Sequence, residues 1–138
     1  MQCWVAPFVP HEDKLQSHAF ESVIPTLPVS NLDLSLPFYR AFGFDVAWTH
    51  QLADTQPRLA SITSGTIELF LTEHRVAPFG AVVYINTTGV DALNGAAIGA
   101  GLSPTFGPAD REWGQREVYF TDPDGNVLRF GERLAQSE

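Results

Sequence analysis

The sequence is poor in cysteine, in lysine and in long apolar runs. Its single cysteine, Cys3, excludes an internal disulfide and a thiolate metal cluster. Lys14 is the one lysine, and Lys and Arg together number 8 against 16 Asp and Glu. An acidic surface repels the phosphate backbone, so no nucleic-acid partner is expected. No apolar run approaches the roughly 20 residues a membrane-spanning helix needs. No basic stretch leads into an apolar core at the start, so no signal peptide is expected either, and the default location is cytoplasmic. No serine sits in a G-x-S-x-G context, and no glycine-rich phosphate loop is present; Gly95, Gly99 and Gly101 fall in or at the end of a helical pattern. The acidity itself has two readings: it keeps the protein soluble, or it draws in cationic ligands.

What is there is 138 residues with 44% hydrophobic content, enough for one domain or for two small modules sharing one core. Residues 1–21 form an extension, residues 22–134 the domain, and residues 135–138 a tail. Trp4 and Phe8 make the extension either a docking arm or a mobile one. Within the domain, Ser22 to Val29 predicts a strand. Pro25 and Pro28 lack an N–H, which puts it at a sheet edge or where the strand crosses to a partner. Ser30-Asn31-Leu32-Asp33 is a capping box opening a helix that ends near Phe42, with Gly43 as its left-handed cap. Pro37 inside that pattern predicts a late start or a kink. Strands are expected at Phe44 to His50, Arg58 to Thr63 and Thr66 to Thr72, with a linker over residues 73–79.

The pattern then restarts. Ala81 to Asn86 predicts an apolar strand, and Thr88-Gly89-Val90-Asp91 a second capping box before a helix through Val90, Leu93, Ala97 and Ala100. Ser30 and Thr88, Asp33 and Asp91, and Gly43 and Gly101 are each 58 positions apart, which indicates an internal duplication with modules at about 22–72 and 80–134. Pro104 to Gly107 reads as a short strand and residues 108–112 as a loop. The chain closes on a hairpin. Arg116 to Thr121 alternates, with Arg116, Val118 and Phe120 on one face and Glu117, Tyr119 and Thr121 on the other. Asp122-Pro123-Asp124-Gly125-Asn126 is the turn, and Val127 to Phe130 the return strand. The pattern as a whole is an α+β domain of two similar halves, each strand, helix, then three strands.

Trp113-Gly114 at the mouth of this hairpin, followed by its Asp-Pro-Asp-Gly-Asn turn, resembles the C-terminal end of the bleomycin resistance proteins. Those belong to the vicinal oxygen chelate superfamily, with glyoxalase I and the extradiol dioxygenases. The resemblance covers about Ser22 to Leu134. It implies two βαβββ modules forming cupped mixed sheets, in a homodimer that exchanges its N-terminal strand at a proline hinge matching Pro25. Enzymes of this superfamily bind a divalent metal through four positions, which fall here on Ile24, Glu68, Val82 and Arg129. Only Glu68 could ligate, and one carboxylate does not hold a catalytic ion. The expectation is therefore a protein without metal, cofactor or catalytic residue. His11, His18, His50 and His74 read as surface residues.

The resemblance implies instead a binding protein that sequesters a planar, cationic small molecule of the bleomycin type, conferring antibiotic resistance. In those proteins aromatic residues at the position of Trp48 and in the Trp-Gly loop hold the flat part of the drug, while acidic residues attract its cationic tail. The candidate ligand-binding residues are Trp48, Asp54, Glu68, Phe70, Trp113, Gly114, Tyr119 and Arg129. Each tryptophan could instead be core packing. Arg129 could pair with Glu68 across a cavity where subunits meet, or with Glu117. Two other classes stay open: a metal-dependent lyase or dioxygenase, and a partner protein with an empty cup.

Overall fold

The computed structural model describes residues 21–74 and 80–135; the expected arm, most of the linker and most of the tail lie outside the described residues. The elements run β1 (Thr26–Pro28), α1 (Leu32–Arg40), β2 (Asp45–Gln51), β3 (Arg58–Ser64) and β4 (Ile67–Thr72). Then come β5 (Val82–Asn86), α2 (Val90–Gly99), β6 (Phe106–Asp110), β7 (Gln115–Thr121) and β8 (Val127–Arg133). They form two four-stranded sheets, ordered β1-β4-β3-β2 and β5-β8-β7-β6. In each sheet the first strand runs parallel to the last and the other pairings are antiparallel. The two-module α+β architecture is thus present.

The prolines shorten β1 more than the alternation suggests. The strand expected over Ser22 to Val29 is reduced to three residues at the sheet edge. Pro25 contributes only its carbonyl, which accepts from the Phe70 N–H at 2.9 Å. Val29 N–H donates to the Thr72 carbonyl at 2.8 Å. Within the chain β1 lies on its own β4. Helix α1 does not start late: Pro37 sits inside it. Pro37 and Asp33 are both exposed, so the carbonyl deprived of its donor is turned to water.

Neither expected capping box forms. Asn31, not Ser30, caps α1, its Oδ1 accepting from the Asp33 N–H at 2.8 Å. The cap of α2 is Gly89, which has no side chain to offer. A glutamate reaches in from the end of each module instead. Glu73 Oε2 accepts from the Leu32 N–H at 2.8 Å, and Glu132 Oε1 from the Val90 N–H at 3.0 Å. These carboxylates meet the exposed donors and positive end of each helix. The ion pairs repeat too: Arg58 bridges Asp33 and Glu73, while Arg116 bridges Asp91 and Asp110. Arg58 and Arg116 are again 58 residues apart, as are the helix starts Leu32 and Val90. Gly43 and Gly101 both have positive φ, as the repeat requires. The expected strand before residue 108 moves on, because β6 begins at Phe106 and takes in part of the predicted loop.

The helices and the buried sheet faces share one core. Leu27, Leu36, Ile62, Leu69, Leu71, Val118, Phe120, Leu128 and Phe130 belong to a single cluster. Phe42 lies 5.0 Å from both Phe120 and Phe130, joining the first module to the second. The hairpin turn fastens the same junction. Asn126 Nδ2 donates to the Pro28 carbonyl at 2.7 Å and to Asp122 at 2.8 Å, and its Oδ1 accepts from Ala81 at 2.7 Å. Tyr39 Oη donates to Asp122 Oδ2 at 2.7 Å. Burial, then the adjacent Asp122 carboxylate, push the Tyr39 phenol far up, so it stays a donor. Asp124 accepts from the Ser30 N–H and the Ser35 hydroxyl.

Candidate ligand-binding site

Both sheets turn one face to the core and leave the other open. Strand alternation decides which side chains stand on the open face, and the register aligns them in rows. In the first sheet Thr26, Phe70, Ser61 and Trp48 are successive partners across β1, β4, β3 and β2. In the second sheet the corresponding row is Tyr84, Arg129, Tyr119 and Phe106. Thr26 and Tyr84, Ser61 and Tyr119, and Trp48 and Phe106 keep the 58-residue spacing. Trp48 packs edge-on against Phe70 at 5.3 Å, and Phe106 tilts against Tyr119 at 4.8 Å.

In the first cup, Trp48 is 43% exposed, which removes it from the core. Glu68, beside this row, accepts a hydrogen bond from Ser61 Oγ at 2.5 Å. Asp54 lies in the exposed loop after β2 and is held through its carbonyl by Gln51 Nε2 at 3.1 Å. The structure thus groups Trp48, Phe70 and Glu68, and leaves Asp54 on a loop.

The second cup is built around Glu117, which is 2% exposed. Its carboxylate accepts from Tyr84 Oη at 2.7 Å, Tyr119 Oη at 2.9 Å and Trp113 Nε1 at 3.0 Å, and Arg111 stands 3.7 Å away. Burial pushes this carboxyl up, but the three hydrogen bonds and Arg111 outweigh it, so the group ionises below its usual range. Burial and then the bond to Glu117 push the Tyr84 phenol to about 12. Gly131 makes room for this arrangement: a Cβ there would overlap the Tyr84 ring. Arg111 lies between the rings of Phe106 and Trp113, 4.5 and 4.3 Å from their centres. Trp113 is 57% exposed, which takes it out of the core. It lines a cavity of about 670 Å³ with Gly114, Gln115, Arg111 and Arg133. A second groove of about 390 Å³ runs between β4 and β5, lined by Pro25, Glu68 and Tyr84 among others.

Arg129 does not make the expected ion pair with Glu117. Its guanidinium lies over the Tyr119 ring, 4.6 Å from the centre, and its buried Nε has no partner among the described residues. Arg111, not Arg129, is the cation beside Glu117. Tyr84, Phe106 and Arg111 were not among the expected site residues; the 58-residue spacing from Thr26 and Trp48 was the signal for the first two.

The four positions where superfamily enzymes hold a metal do not fit one. Ile24 and Val82 have no ligating side-chain atom and Arg129 is a fixed cation, which leaves the single carboxylate of Glu68, too few ligands to hold an ion. Among the described residues no group of three or more His, Cys, Asp or Glu is placed to hold an ion. No helix among them is long and apolar enough to cross a membrane.

Comparison with known proteins places this geometry in a family. A family model described as glyoxalase superfamily protein matches residues 11–137. No curated protein matches the sequence. Among solved structures, the chain is similar to TnmS3, an antibiotic binding protein from Streptomyces sp. CB03234, at 25% identity, over 84% of this chain and 99% of that one, with a TM-score of 0.65. It shares the fold of a bleomycin resistance determinant encoded on the transposon Tn5, at 19% identity over 84% and 100% of the two chains, TM-score 0.66. It also shares the fold of TioX from Micromonospora sp. ML1, at 19% identity over 83% and 100%, TM-score 0.67. The chain belongs to the glyoxalase superfamily and has the fold of its bleomycin resistance proteins.

Proposed function

We propose that the protein is a non-catalytic binder that sequesters a planar aromatic antibiotic, working as a cytoplasmic homodimer. The observation that carries this reading is the pair of open aromatic rows, with Trp48 in the first and Trp113 beside the second turned to solvent and not packed inside. Offset stacking adds about 0.5–1.5 kcal/mol per aromatic contact beyond simple burial. Glu68, with a single hydroxyl partner, is the carboxylate available to a cationic group of such a ligand. The likeness to the antibiotic binding protein TnmS3 supports the ligand class. The domain boundaries at residues 22 and 134, with a dispensable extension before them, and the exchange of the N-terminal strand about Pro25, belong to the same proposal.

Calorimetric titration with bleomycin and other planar antibiotics tests it, read alongside quenching of tryptophan fluorescence. Saturable binding at one site per chain, with the ligand recovered unchanged, is the expected result. Absence of binding across the panel rejects the reading. Turnover of a ligand, together with stoichiometric zinc, nickel, iron or manganese in the purified protein, replaces it with a metal-dependent lyase or dioxygenase.

A further inference from the structure

We infer that the second cup selects ligands carrying an anionic oxygen, a carboxylate or a phenolate on the planar ring system, and that Arg129 is the residue that receives it. This rests on the binding role proposed above and names the chemical class for that site.

The charges of the cup lead to this conclusion. Its one buried carboxylate, Glu117, is fully engaged by three donors and by Arg111. It has nothing left for a cation. Arg111 is likewise occupied, between two rings and beside Glu117. Arg129 remains. It stands in the middle of the row Tyr84, Arg129, Tyr119, Phe106, flanked on both neighbouring strands by an aromatic ring. It forms no ion pair among the described residues, and its Nε is shielded from water without an acceptor. Two guanidiniums against one carboxylate leave the cup one positive charge in surroundings drier than bulk water. A planar ligand lying along this row packs against the exposed sides of Tyr84 and Phe106, and its edge meets the guanidinium. An oxygen anion there gains a charge-assisted hydrogen bond, and the fork of Arg can make two such bonds side by side. The acidic surface as a whole opposes anions, but only over distances that salt screens.

The test uses the full chain at physiological ionic strength with two probes of equal shape, 2-naphthoate and 2-naphthamide. The inference expects naphthoate to bind about tenfold more tightly, the scale of one hydrogen bond to a charged group. In Arg129→Gln the two affinities should converge to within about twofold, chiefly through loss of naphthoate affinity. Equal affinities in the unaltered protein overturn the inference while leaving planar binding intact; a Glu68 carboxylate from a second copy occupying Arg129 would produce that result. So does a preference that survives Arg129→Gln. If neither probe binds, the planar-ligand reading falls and the inference with it. Should the variant fail to fold, the ranking of the two probes on the unaltered chain, and its weakening with added salt, still decide.

Discussion

At the scale of single residues, Trp113 does two things at once. Its ring forms one wall of the cavity beside the hairpin, and its indole N–H donates to buried Glu117. Trp113→Ala should weaken ligand binding about tenfold or more while costing about 1 kcal/mol of stability, the lost hydrogen bond being partly replaced by water. Titration and thermal melting of the same sample separate the two. A loss of several kcal/mol with unchanged affinity would make it a core residue after all. Trp113 and Tyr119 could be read from the sequence because the Trp-Gly pair and the alternation of β7 place them. The roles of Arg111 and Arg129 could not. Both are arginines near the end of the chain, and only the folded register decides that Arg111 reaches Glu117 while Arg129 lies on Tyr119.

At the scale of elements, helices and strands were legible wherever periodicity was strong, as in β4, β7 and both helices. Their ends were not, because the deciding partners are remote. Ser30 looks like a cap from its neighbours alone, yet the donors of α1 are met by Asn31 and by Glu73, the latter 41 positions beyond the donor Leu32. That capping makes α1 sensitive to acid. Hydrogen bonds from Arg58 first, then from backbone N–H groups, hold the Glu73 carboxyl at about 2, against an ordinary value of 4.5. A carboxyl lowered on folding stabilises the fold fully above its unfolded value. That contribution fades as pH falls from about 4.5 towards 2. Melting temperature should therefore drop steeply over that window, and Glu73→Gln should lower it at neutral pH and flatten the acid limb. An unchanged acid limb would assign the sensitivity elsewhere. Pro37→Ala offers the converse test. It restores a helical N–H on an exposed face and should raise stability by about 1–3 kcal/mol, read by urea unfolding; a loss would mean the ring packs against something essential.

At the scale of the whole molecule, the two modules are held together by a shared core and by the turn from Asp122 to Asn126, whose two end residues are buried. Asn126→Ala removes donors and acceptors that serve Pro28, Ala81 and Asp122 at once, and should cost about 3–5 kcal/mol. Denaturation followed separately by Trp48 and Trp113 fluorescence, one tryptophan in each module, would read it. Coincident curves with little shift would show the junction to be held by the core alone. The duplication was visible from three matched positions, and the structure extends it to arginines, carboxylates and whole rows of side chains. The turn has a further consequence for how relatives of this protein are sorted. The side chains of Asp122, Asp124 and Asn126 are tied up in joining the halves. Chains that share it share a way of assembling, and can differ freely in what they carry. On the binding role proposed above, grouping them by ligand calls for comparison at Tyr84, Phe106, Tyr119 and Arg129.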